Sequence, residues 1–238
     1  MSGDPPPGAE PTLWLYKNLG DGKLEPYEFR EEPFLDQLVF APRFSDVNRD
    51  GRSDLVVVSD FRQSQIYLNI DGNTFQRVTE SSGIGTEENG MGSALGDYDN
   101  DGDIDWFVTS IFDDSGTTEG PWGTTGNRLY RNDGTGKFSD ATDEAGLRDG
   151  NWGWGASFGD LDNDGNLDLF MVNGWVREEP KIAIEKFDDQ PARLFENIGG
   201  TFQEVAEQAG ADDTGQGRGV ILFDYDNDGD LDIFITNN

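Results

Sequence analysis

The 238-residue chain contains neither cysteine nor histidine. The first absence excludes a disulfide framework, thiol chemistry and thiolate metal sites; the second removes the commonest general acid–base residue and the imidazole ligand. Positive charge is also scarce. Lys and Arg number 17 against 48 Asp and Glu, a formal net charge of −31. An excess of that size repels phosphate backbones and anionic headgroups, which disfavours nucleic-acid and membrane-surface partners. No apolar run is long enough to span a bilayer as a helix, so membrane insertion is not expected. Residues 1–12, MSGDPPPGAEPT, are polar and Pro-rich and read as a leader or linker, without the apolar segment of a signal peptide.

Aspartate and glycine, by contrast, recur in a fixed pattern. DVNRDGRSD from Asp46, DYDNDGDID from Asp97, DLDNDGNLD from Asp160 and DYDNDGDLD from Asp224 each place acidic or amide oxygens at loop positions 1, 3, 5 and 9, with glycine at position 6. Such clustering works against packing, since two like charges at about 4 Å repel by roughly 1 kcal/mol in water and about 4 at an effective dielectric near 20. A hard divalent cation reverses the sign, and Ca²⁺, which accepts 6 to 8 oxygens in a flexible shell, suits a loop of this kind best. Solvated acidic turns without metal are the bland alternative; one such turn could be accidental, four at matched positions could not. Up to four Ca²⁺ ions are therefore expected.

Spacing assigns the ligands. The first loop offers side-chain oxygens from Asp46, Asn48, Asp50 and Asp54, and the backbone carbonyl of Arg52 at position 7. The second offers Asp97, Asp99, Asp101 and Asp105 around Asp103, the third Asp160, Asp162, Asp164 and Asp168 around Asn166, the fourth Asp224, Asp226, Asp228 and Asp232 around Asp230. Gly51, Gly102, Gly165 and Gly229 sit where the chain must turn sharply. An EF-hand is excluded, because its loop closes on a bidentate Glu at position 12, whereas that position here holds Val57, Val108, Met171 and Ile235. The first loop should be the weakest site, with an amide at position 3 and two arginines, Arg49 and Arg52, close by.

The loops also expose a repeat. Their first aspartates are spaced 51, 63 and 64 residues apart, a period typical of repeat architectures. Each unit reads as four strands: an inner segment before the loop (GMGSALG, GWGASFG, GRGVILF), a β-branched and aromatic run after it, then a hairpin such as QIYLNIDGNTFQRV, RLYRNDGTGKFSDA or RLFENIGGTFQEV. Four antiparallel strands repeated about an axis is how a β-propeller protects its sheet edges. The expected fold is all-β: a partial blade at 13–30, repeats over about 38–79, 90–141 and 152–206, and a partial blade at 216–238. Two arrangements are open, closure of the two half-blades into a four-bladed ring or a slice of a larger propeller, and the break directly after a strand favours the slice.

These loops followed by apolar strands, with LYRNDGTGKFSDATDEAGL and GWGASFGDLDNDGNLDLFMVN in tandem, resemble FG-GAP or VCBS repeats of the integrin α-subunit propeller type, in particular the bacterial proteins that resemble cartilage acidic protein. The resemblance covers the chain from about Leu13. It implies a seven-bladed ring when complete, calcium in the loop between the first two strands of a blade, and an exported or surface-bound protein, extracellular in either case. The first unit departs from the pattern: VFAPRFS replaces the Gly-x-Gly opening before Asp46.

In an up-and-down blade the calcium loops and the longer connections lie on opposite faces. Those connections are 80–90, 110–127, 142–151, 174–192 and 207–216, and loops carry recognition more often than scaffolds do. Trp122 and Trp175 fall in them, beside Arg177; Trp152 and Trp154 flank the third inner strand, and Met91, Trp154 and Arg218 are equivalent positions that would line the rim of the central channel. Flat aromatic faces with polar neighbours suit sugar rings or peptide side chains, and wedging between blades is the alternative use of such residues. The expected function is a calcium-stabilised recognition or adhesion module for an extracellular protein or glycan. A polysaccharide lyase or hydrolase is the second reading, although no nucleophile–base pair or Gly-x-Ser-x-Gly elbow is visible; a structural spacer is the third.

Overall fold

A computed structural model describes residues 13–27, 29, 38–114, 123–175 and 187–238. Its framework is a succession of antiparallel sheets in chain order. A hairpin of β1 (Tyr16–Gly20) and β2 (Lys23–Pro26) comes first. Three four-stranded meanders follow: β3 (Val39–Ser45), β4 (Asp54–Ser59), β5 (Gln65–Asn69) and β6 (Phe75–Arg77); β7 (Ser93–Gly96), β8 (Asp105–Val108), β9 (Arg128–Asn132) and β10 (Phe138–Asp140); β11 (Gly153–Gly159), β12 (Asp168–Asn173), β13 (Arg193–Ile198) and β14 (Thr201–Glu204). A two-stranded sheet of β15 (Gly217–Phe223) and β16 (Asp232–Asn237) ends the described chain. Every acidic loop joins the first strand of a sheet to the second, as the spacing predicts.

The second strands explain why the sequence runs apolar there without alternating. β4, β8 and β12 are buried along their whole length, because successive side chains point to opposite faces of a strand and both faces are covered. Val56 and Val58 meet Trp106 and Val108 between the first and second meanders. Phe107 turns the other way and packs with Leu169 and Met171 between the second and third, and Phe170 and Val172 face Val220, Ile233 and Ile235 of the last sheet. Each such side chain contributes about 1.5–3 kcal/mol by burial. Trp106, wholly buried with its indole N–H donated to Ser93 Oγ at 2.9 Å, holds the first of these seams; truncating it to alanine would cost about 3–5 kcal/mol.

The first strands lie side by side, β3 next to β7, β7 next to β11 and β11 next to β15. Their glycines make this approach possible. A Cβ on Gly92 would lie 1.9 Å from the carbonyl oxygen of Trp154, and one on Gly155 would lie 2.7 Å from that of Arg218. The Gly-x-Gly opening is therefore a packing requirement between neighbouring inner strands.

One local element differs from the sequence reading. The connections after the fourth strands begin with a single helical turn, α1 (Thr79–Ser82), α2 (Thr142–Ala145) and α3 (Ala206–Ala209), each stopped by a left-handed glycine, Gly83, Gly146 or Gly210. Four residues are too few to show a helical period, so TESSG, TDEAG and AEQAG read as loop. No helix among the described residues is long and apolar enough to cross a membrane.

Candidate metal centre

The acidic loops share one backbone scaffold. The position 1 carboxylate accepts the N–H groups of positions 5 and 6: Asp46 from Asp50 (3.0 Å) and Gly51 (2.8 Å), Asp97 from Asp101 (3.1 Å) and Gly102 (2.9 Å), with the same pair in the loops at Asp160 and Asp224. The position 6 glycines have φ from 83° to 100°, in the left-handed region that other residues resist. Position 4 is left-handed as well, with φ of 58° at Arg49 and 59° to 62° at Asn100, Asn163 and Asn227. Asparagine tolerates that conformation better than most residues, a signal present in three of the four motifs and overlooked in favour of the aspartates.

Position 9 opens the second strand and is fixed from two sides. One oxygen of Asp105 accepts Tyr98 N–H at 3.2 Å, the other Asn132 N–H at 2.8 Å. Asp54 accepts Val47 N–H (3.0 Å) and Asn69 N–H (2.7 Å), and Asp168 accepts Leu161 N–H and Asn197 N–H, both at 2.9 Å. The third-strand asparagines also reach the preceding sheet: Asn132 Nδ2 donates to Val47 O and Asn197 Nδ2 to Tyr98 O, both at 2.8 Å. These asparagines escaped the sequence reading because LYRN and LFEN look like ordinary strand ends.

Three loops bring carboxylates together. In the groups Asp97, Asp99, Asp105; Asp160, Asp162, Asp168; and Asp224, Asp226, Asp232, one oxygen of each member lies within 4.8 Å of the others. These are positions 1, 3 and 9. The position 5 aspartates are turned partly to the backbone: Asp101, Asp164 and Asp228 each accept the N–H of position 7 at 2.7–3.0 Å. The first loop holds Asn48 at position 3, and its Asp50 is engaged by Asn48 Nδ2 at 2.9 Å and by the guanidinium of Arg52.

Position 7 side chains serve as links. Arg49 pairs with Asp103 at 2.9 Å, Asn100 Nδ2 donates to Asn166 at 2.9 Å and Asn163 Nδ2 to Asp230 at 2.8 Å, so position 4 of each loop grips position 7 of the next.

The donor set fits a hard cation. It is all oxygen, and one of those oxygens, Asp99 Oδ1, is buried with no hydrogen-bond partner among the described residues. Burial pushes the Asp105 carboxyl up to about 7, against the two backbone N–H groups that favour its charge, and Asp99 and Asp101 repel it further. The Asp54, Asp99 and Asp168 carboxyls are raised for the same first cause. A cation held between these oxygens would favour their ionised form.

Comparison with known families matches residues 46–108, 114–171 and 182–235 to the FG-GAP-like repeat, together more than half of the chain. The chain belongs to the FG-GAP repeat family. FG-GAP repeats imply propeller blades, and the meanders are their four-stranded sheets. The chain is also 35% identical over 102 residues to cartilage acidic protein 1 of Xenopus tropicalis, covering 42% of this chain and 14% of that protein. Against the human protein it is 36% identical over 100 residues, 41% and 13% respectively. The match thus spans about one seventh of these relatives.

On the face opposite the FG-GAP loops, the aromatic residues separate into two groups. Trp152 is buried, stacked on Trp175 with centroids 4.1 Å apart and edge-on to Phe187 at 5.3 Å, which is a packing arrangement. Trp154 lies over the inner strands, with the Arg218 guanidinium 4.2 Å from its ring centroid and its indole N–H donated to Gly174 O at 2.7 Å. Trp122 and Arg177 lie outside the described residues.

Proposed function

We propose that the acidic loops bind calcium and that the protein is a calcium-stabilised recognition module of the cell exterior. The convergence of carboxylates at positions 1, 3 and 9 in three loops carries the reading, supported by the unpartnered Asp99 oxygen. With the ion bound, the side chains of positions 1 and 9 hold the turn to the second strand while position 3 closes the shell, so the metal would be structural. The side chains at positions 4 and 7 join loop to loop, and an ion in one loop would stiffen its neighbours.

The sheets are then blades around an axis, in a ring of the kind FG-GAP repeats build. The connections on the non-calcium face would meet an extracellular protein or glycan. The similarity to cartilage acidic protein 1, by name an acidic protein of cartilage, accords with an exterior setting.

Thermal denaturation tests the metal assignment. Because calcium binds the folded loops and not the separated carboxylates of the unfolded chain, millimolar calcium should raise the Tm, by linkage worth about 2.7 kcal/mol at one hundred times Kd. An unchanged melt after thorough chelation would sink the structural role.

A further inference from the structure

An open cavity of about 340 Å³ lies along the inner strands, lined by residues of β3, β11 and β15 and by Met91, Gly92 and Ser93 at the start of β7. Its composition departs from that of the chain. The sequence holds 48 acidic residues, yet among the described residues none lines this cavity, while two arginines, Arg43 and Arg218, do.

Neither arginine has a carboxylate partner among the described residues. Arg218 Nη1 donates to the carbonyls of Gly217 (2.8 Å) and Gly174 (3.4 Å), which leaves Nε and Nη2 unpaired among the described residues. Among the described residues Arg43 donates only to Pro42 O, at 3.1 Å. Burial lowers the Arg218 pKa, and no acid among the described residues opposes the shift. A guanidinium held in this way is a standing preference for an anion, and its planar fork matches a carboxylate.

The walls supply the second half of the chemistry. Counting back from the first aspartate of each loop, Phe40, Met91, Trp154 and Arg218 occupy the same inner-strand position, and all four line the cavity. Phe40 and Trp154 meet edge to face, 5.9 Å apart with an interplanar angle of 86°. The cavity therefore combines an aromatic wall, Phe40 with Trp154, and guanidinium groups, the Arg218 guanidinium lying over one face of the Trp154 ring. Its volume lies at the lower end of ligand pockets. The net charge of −31 repels a polyanion far more than a single carboxylate.

We propose that this cavity is a binding site for a carboxylate-bearing sugar of the uronate class, with the carboxylate on Arg218 and Arg43 and the ring against the wall formed by Phe40 and Trp154. The proposal deepens the recognition reading and rests on it; uronate and calcium are measured separately, so either can fail without the other.

The test is calorimetric titration of the calcium-saturated chain, freed of excess ion, with sodium glucuronate, glucose, acetate and inorganic phosphate. One glucuronate should bind per chain, with glucose and acetate at least tenfold weaker, because each lacks one half of the ligand. Arg218→Met should weaken glucuronate at least tenfold and Arg43→Gln severalfold. Arg43 is exposed, so its variant is expected to fold even if Arg218→Met does not. The proposal is overturned if glucose binds as well as glucuronate, if phosphate binds as tightly, if no glucuronate binds, or if Arg43→Gln and the folded Arg218 variant bind like the wild type. Unchanged calcium-dependent melting in any of these cases would leave the metal reading standing.

Discussion

The loops at Asp46 and Asp97 have nearly the same backbone and very different charge. Both close the turn through the position 1 carboxylate and a left-handed glycine, and both anchor the second strand through position 9. Yet the second loop carries Asp99 and Asp103 where the first carries Asn48 and Arg52, and the Arg52 guanidinium already sits on Asp50. Shape therefore comes from positions 1, 6 and 9, and the difference in demand for a cation from positions 3 and 7. A loop can keep the first property while partly losing the second.

The position 9 aspartates should separate these roles with the largest effect. In chelator, Asp54→Ala and Asp105→Ala should each cost about 3 kcal/mol, since both leave two backbone N–H groups without their acceptor. In saturating calcium the Asp105 variant should lose about 2–3 kcal/mol more through forfeited binding, whereas the Asp54 variant should lose little more. Urea melts with and without calcium measure both, and equal calcium dependence would erase the proposed distinction.

Rebuilding the weak loop is the next test. Asn48→Asp with Arg52→Gln restores the position 3 carboxylate and frees Asp50; the double variant should gain about tenfold in calcium affinity at that loop, read by titration. If affinity does not move, charge is not what separates the two loops.

Glu87 should show no calcium dependence. It is wholly buried between the first two meanders and accepts the Tyr130 phenol, and burial raises its pKa despite hydrogen bonds from Ser64 and Tyr130 and the charge of Arg128. A carboxyl raised in the folded state lends its full stability below its unfolded pKa of 4.5 and withdraws it as pH rises through the folded value. Glu87→Gln should therefore gain on the wild type between pH 4 and pH 8, equally with and without calcium. A gain that shrinks as pH rises would reverse the assigned sign.

Much of this was legible because the loops are local. Asp at 1, 3, 5 and 9 with glycine at 6 is fixed by one turn, and the apolar run after it follows from burial on both faces of β4, β8 and β12. What was hidden depends on partners far away in sequence. Asn132 and Asn197 gain their meaning from the Val47 and Tyr98 carbonyls of the preceding sheets. Phe40 joins Met91, Trp154 and Arg218 only through the inner-strand register, since VFAPRFS lacks the glycines that mark the other units. The one-turn helices leave no periodic trace.

The most direct measurement is anomalous diffraction from crystals grown in millimolar calcium. The account predicts density between positions 1, 3 and 9 of the loops at Asp97, Asp160 and Asp224, and a weaker peak or none at Asp46. Empty density at all three carboxylate triads would contradict it.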